Sequence, residues 1–129
     1  MKNEVIRGKS LKTYISHGTD LAPGNKRLRI ILDKFTCDAK NLSLGWIAIP
    51  PRSRTDDHTR KTEEIIYVLK GTTTIVAQDQ EYTLSKGDAV FIPPGVAHRH
   101  ENRRTSTLEQ LWIFAPPGPE RTLRELPEE

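Results

Sequence analysis

Apolar residues along this chain alternate with polar ones at a period of two, and Gly, Pro and Asn signals interrupt the alternation about every eight to twelve positions. A period of two is the repeat of a strand with one buried face. Strands that short bury little alone, so the pattern calls for many of them, assembled as a sandwich or a barrel. Strands are expected over residues 11–16, 27–35, 42–50, 63–70, 72–78, 81–84, 88–93, 96–101 and 107–115. Lys70-Gly71 and Lys86-Gly87 each close one strand before the next begins, and Ala22-Pro23-Gly24-Asn25 reads as a turn. The polar stretch over 50–61 reads as a loop. Ala115-Pro116-Pro117-Gly118-Pro119 ends the last strand, because proline has no N–H to give a ladder. A short helix is expected over 120–126, stopped by Pro127.

The length, 129 residues, fits one all-β domain spanning 1–129, with N-terminal strands within 1–35 and a tail over 116–129. Closing the strands into a barrel removes exposed edges. With 35% hydrophobic and 29% charged residues, a chain of this size buries enough surface to fold without disulfides or a structural metal. Any metal it binds therefore serves function. The net charge is 20 − 17 = +3, and the basic residues are interleaved with acids, as in Asp56-Asp57-His58-Thr59-Arg60-Lys61-Thr62-Glu63-Glu64. Only Arg52, Arg54, Arg60 and Lys61 approach a cluster, which argues against a nucleic-acid partner. No apolar stretch is long enough to cross a bilayer. Cys37 is the only cysteine, which excludes an intrachain disulfide and fits a reducing compartment; its expected place is half-buried at a strand end. These features give a cytoplasmic protein whose partner is a small molecule, with neither nucleic acid nor membrane.

Two segments carry metal-ligand residues at strand spacing. The first covers 58–71 and includes His58, Arg60, Glu64 and Gly71; the second covers 87–102 and includes Gly87, Pro93, Gly95, His98, His100 and Asn102. Together they resemble the cupin family, small β-barrels of the double-stranded β-helix or jelly-roll type. The second segment matches the family pattern at Gly87, Pro93, Gly95, His98 and Asn102, and the first at His58, Glu64 and Gly71. The first departs from it twice, with Arg52 where glycine is usual and Arg60 where a second histidine is usual. The resemblance implies a jelly-roll barrel, one divalent metal held by His58, Glu64 and His98, and a homodimer in which residues 11–16 cross to the partner sheet.

Side-chain parity agrees with that ligand set. Residues two apart on a strand share a face, so His58, Arg60, Glu64, Ile66 and Val68 point one way, and His98 and His100 share a face. If both faces line one barrel, two imidazoles and a carboxylate can converge, the donor set of non-haem Fe(II) sites; Fe(II) is the favoured ion, with Mn, Ni, Co or Zn as alternatives.

Arg60 leaves two readings open, since a guanidinium cannot coordinate a cation. Either it binds an anionic group of the substrate, or it pairs with Glu64 and replaces the metal. His100 can supply a third imidazole, act as a catalytic acid–base group, or hydrogen-bond within the barrel. Asp56 is a weaker substitute ligand, and His17 reads as surface. Tyr67 has the opposite parity to Glu64 and belongs outside; Ile66 stands where some cupin lyases carry a tyrosine base. Trp112, like Trp46, lies on an expected strand, and with Arg60 it is expected to line the substrate pocket. The chain thus reads as a mononuclear divalent-metal enzyme of the dioxygenase, isomerase or lyase class acting on a small anionic molecule. The alternative is a metal-free ligand-binding barrel built around an Arg60–Glu64 ion pair.

Overall fold

Alternation in the sequence becomes alternation of burial in the structure. The computed structural model describes residues 2–129, which form a 3₁₀ turn over Gly8–Ser10, ten strands and a single helical turn. The strands are β1 (Tyr14–Ser16), β2 (Lys26–Leu32), β3 (Ser43–Ile49), β4 (Ser53–Arg54), β5 (Glu63–Lys70), β6 (Thr72–Ala77), β7 (Gln80–Ser85), β8 (Ala89–Ile92), β9 (His98–Asn102) and β10 (Leu108–Ala115), followed by α1 (Glu120–Leu123). They pair antiparallel into a six-stranded sheet, β1-β2-β3-β10-β5-β8, and a four-stranded sheet, β4-β9-β6-β7. The sheets are the two walls of a jelly-roll barrel. On β5, Glu64, Ile66 and Val68 are buried while Ile65, Tyr67 and Leu69 face out. On β10 the inward set is Leu108, Gln110, Trp112 and Phe114. Ile30, Ile49, Val68, Ile75, Leu84, Ile92 and Leu108 belong to the apolar core between the sheets.

The strand expected over 27–35 starts one residue earlier and stops at Leu32, because Asp33 turns the chain. Its carboxylate accepts the Phe35 N–H (3.0 Å), and its carbonyl accepts those of Thr36 and Cys37. Cys37 is half-buried beside that turn. The loop expected over 50–61 contains the short strand β4, which pairs Ser53 with Asn102 and Arg54 with Glu101. Arg52 makes this possible by adopting φ 54°, a left-handed conformation that favours glycine. The left-handed conformation is thus adopted at position 52 although the residue there is arginine. Residues 14–16 pair with β2 of the same chain, and Tyr14 also bridges to Glu128.

Two contacts shape the packing of the barrel and its C-terminal turn. Trp112 lies opposite Gly45 in the β10–β3 register, and a Cβ at position 45 would sit 1.8 Å from the indole. Only glycine leaves room for that ring. The C-terminal turn is fastened by Arg124, which makes two hydrogen bonds to the Asp33 carboxylate (2.7 and 2.6 Å) and so sets Leu123 and Leu126 against the core. No helix among the described residues is long and apolar enough to cross a membrane.

Candidate metal centre

β9 delivers two histidines inward, β5 delivers one carboxylate, and the segment before β5 delivers a third histidine. His58 and His98 exchange backbone hydrogen bonds (2.9 and 3.0 Å), which fasten that segment to β9 in the opposite sheet. The turn that leads into β9 depends on Gly95 at φ +83°, and its N–H donates to the Arg60 carbonyl (2.8 Å). The two sequence segments are therefore locked together beside the site. Asn102 closes the far end of β9, with its side-chain amide donating to the carbonyls of Ile49, Pro50 and Ser106. It holds the strand and does not reach the cluster.

The result is a group of four possible ligands, His58, Glu64, His98 and His100, whose nearest donor atoms all lie within 4.8 Å of one another. A divalent ion bound at about 2.1 Å separates its donors by about 3 to 4 Å, so small side-chain shifts would close this set around one ion. The predicted triad is thus brought together, and His100 joins it. Asp56, the weaker candidate, stays exposed and contributes its backbone carbonyl instead, which accepts the His58 Nδ1–H (2.8 Å). The Val96 carbonyl does the same for His98 (3.0 Å). Both contacts fix the tautomer that leaves Nε2 free as a ligand atom.

Buried atoms without partners point to the same conclusion. His98 Nε2 and Glu64 Oε1 lie 3.4 Å apart, and neither has a hydrogen-bond partner. Such groups are costly to bury unless something satisfies them, and a cation between a ring nitrogen and a carboxylate oxygen would do so. Gln110 on β10 lies 3.1 Å from His100 Nδ1 through its amide nitrogen, while its buried Oε1 has no partner. Turning that amide over would let Oε1 accept an Nδ1–H and leave His100 Nε2 free, as in the other two imidazoles. Burial alone would raise the Glu64 pKa, but the adjacent His100 and His98 outweigh it and hold the carboxyl well below the usual range. Burial, then the charges of His100 and His98, pushes His58 down to about 4. For His98 burial is opposed and outweighed by Glu64, and its pKa is raised.

Arg60 corrects one expectation. The Arg60–Glu64 ion pair does not form: Glu64 faces His98 (3.4 Å) and His100 (3.5 Å), and Arg60 makes no ion pair among the described residues. Its guanidinium instead lies over the Phe114 ring, 5.5 Å from the centroid, and its buried Nε has no partner. The two residues are drawn to different neighbours, so the ion pair expected in the metal-free alternative is absent among the described residues.

His58, Glu64 and His100 line a cavity of about 270 Å³ that also involves Arg60, Trp112, Phe114 and Ile66, just below the roughly 300–1,000 Å³ range of small-ligand pockets. Trp112 therefore borders the pocket as expected. Tyr67 faces out at 41% exposure, and Trp46 lies on the outer face, bonded to Glu109 (3.0 Å). His17 is exposed, as expected, yet it also lines the pocket mouth.

Sequence reasoning missed Lys26 and Gln110, both buried and both lining the cavity. Each shares the parity of inward apolar neighbours, Leu28 and Ile30 for Lys26, and Trp112 and Phe114 for Gln110. That parity was the available signal.

Residues 45–114 match the family described as Cupin domain. An uncharacterized protein of Methanocaldococcus jannaschii is 34% identical over 76 residues, covering 58% of this chain; the match spans only 61% of that relative's length. Among solved structures, a protein of Thermotoga maritima described as a predicted oxalate decarboxylase superposes with a TM-score of 0.76 at 22% identity, covering 88% of this chain and 99% of the other. The polyketide cyclase RemF of Streptomyces resistomycificus superposes with a TM-score of 0.75 at 25% identity, covering 92% and 82%.

Proposed function

The chain belongs to the cupin-domain family, and from that premise we propose that it is a mononuclear divalent-metal enzyme acting on a small anionic molecule. The observation that carries this reading is the convergence of His58, Glu64, His98 and His100, with unpartnered Nε2 and Oε1 atoms, beside a cavity that also holds the unpaired Arg60. In this reading His58, Glu64, His98 and His100 hold the ion, with Fe(II), Mn, Ni, Co and Zn all compatible with the donor types. Bound there, the ion supplies Lewis-acid or redox chemistry with coordination positions left for substrate.

The remaining work falls to the chain's own residues. Arg60 binds an acidic group of the substrate through its guanidinium fork and turns that end toward the cluster. Trp112, Phe114 and Ile66 exclude water around the carbon skeleton and keep the local dielectric low, which strengthens the Arg60 contact. His100 serves as a fourth ligand, fixed by Gln110, and replaces the histidine that Arg60 displaces from the usual position. Isomerase, lyase and dioxygenase chemistry all fit such a site, and the 25% identity to a polyketide cyclase favours chemistry at the carbon skeleton. A homodimer belongs to the same reading, supported by the exposed apolar face of β5 and β8.

Elemental analysis of protein purified without added metal tests the reading. About one equivalent of a divalent transition metal per chain is expected in the wild type and less than about a tenth of that in Glu64→Gln. Wild-type protein that takes up no metal after incubation with Fe(II), Mn, Co, Ni and Zn in turn would overturn it.

A further inference from the structure

Lys26 is the first residue of β2 and only 3% exposed, an unusual place for a lysine without an acidic partner. Its Nζ donates to the Ala22 carbonyl (2.9 Å), the one hydrogen bond it makes among the described residues, although an ammonium has three donors. No carboxylate among the described residues forms an ion pair with it. The acid whose charge reaches it is the exposed Asp56. Burial pushes its pKa below the usual lysine range, with Asp56 opposing. Lys26 also lines the same cavity as Arg60 and the metal-ligand cluster.

Its strand is set apart within the sheet from the strand that carries Glu64. β3 and β10 lie between β2 and β5, and at about 4.8 Å per strand the two chains run about 14 Å apart along the sheet. Leu28, Ile47, Trp112 and Phe114 form apolar walls of the cavity. The cavity thus carries Lys26 and Arg60 on different segments of the chain, together with apolar wall residues.

We propose that Lys26 is a substrate-binding residue and that the pocket takes a small dianion of the dicarboxylate type. One acidic group of this ligand lies at Arg60 and the metal cluster, a short apolar middle lies along Trp112 and Leu28, and the second carboxylate pairs with Lys26. This rests on the metal-enzyme reading for its first anchor, but the Lys26 anchor is independent of any ion. A partly desolvated ammonium with free donors gains most from a ligand that brings the missing charge, so a neutral distal end is disfavoured.

The test is calorimetric titration of wild type, Lys26→Met and Lys26→Arg with three pairs of acids: succinate and butyrate, glutarate and valerate, adipate and hexanoate. Each titration is made with metal-loaded and with metal-free protein. In the wild type at least one dicarboxylate is expected to bind about tenfold more tightly than its monocarboxylate partner. In Lys26→Met that advantage falls below about threefold while monocarboxylate affinity is unchanged, and in Lys26→Arg it is retained. A wild type that does not discriminate within any pair, or a Lys26→Met variant that discriminates as well as wild type, overturns the proposal. Metal content of the same samples separates the two readings: no metal uptake removes the catalytic centre, whereas discrimination that depends on Lys26 in metal-free protein stands without it.

Discussion

Arg60 stands where a ligand is usual, and its charge decides how the site can work. Its guanidinium rests on Phe114 with Nε unpartnered, while Glu64 turns to His98 and His100. The ligand lost at position 60 has been replaced from β9, so Arg60→His is expected to raise Zn or Mn affinity by less than about threefold. Competition titration against a chelator measures this, and a gain of more than about tenfold would show that His100 does not fill the place. Gly45 is equally decisive for packing. The alanine methyl of Gly45→Ala would overlap the Trp112 indole, and a loss of about 1–3 kcal/mol is expected in urea unfolding. If stability is unchanged, the close approach of indole and backbone has no energetic weight.

Among the elements, the C-terminal turn has the clearest dependence on a single pair. Arg124 grips Asp33 at the end of β2 and positions Leu123 at the cavity wall. Burial alone would raise the Asp33 pKa, but the Arg124 hydrogen bonds and the Phe35 and Thr36 N–H groups outweigh it and lower the value. A carboxyl held lower in the folded state stabilises fully above its unfolded pKa of about 3.9 and loses that contribution as pH falls through the folded value. Wild type is therefore expected to exceed Asp33→Asn by about 1–3 kcal/mol at pH 6, with the gap narrowing toward pH 3. Urea unfolding of both proteins at pH 6, 4 and 3 measures it. A gap independent of pH would mean that the ion pair does not supply it. The turn at Asp33 was not legible in the sequence, since Phe35 continues the apolar pattern and only the capture of nearby N–H groups by the Asp33 carboxylate and carbonyl ends the strand.

At the scale of the whole molecule, the six-stranded sheet leaves an apolar outer face. Ile65, Tyr67, Leu69 and Phe91 are each more than a third exposed, and Ile65 pairs directly with Phe91 across β5 and β8. A second copy of the chain is the occupant that the proposed homodimer supplies. Light scattering is expected to give twice the chain mass for wild type and the chain mass for Tyr67→Glu combined with Phe91→Glu, with metal content unchanged. A monomeric wild type would remove the dimer from the reading. The sequence alone determined nine of the ten strands to within a few residues and the inward parity of Glu64, His98 and His100, because a period of two fixes which side chains share a face. It could not determine what those faces meet. Convergence of His58 with His98 depends on pairing between segments 40 residues apart, the parting of Arg60 from Glu64 depends on which neighbours surround each, and the burial of Lys26 depends on how the two sheets close. Those are decided by long-range contacts, and only the tertiary structure contains them.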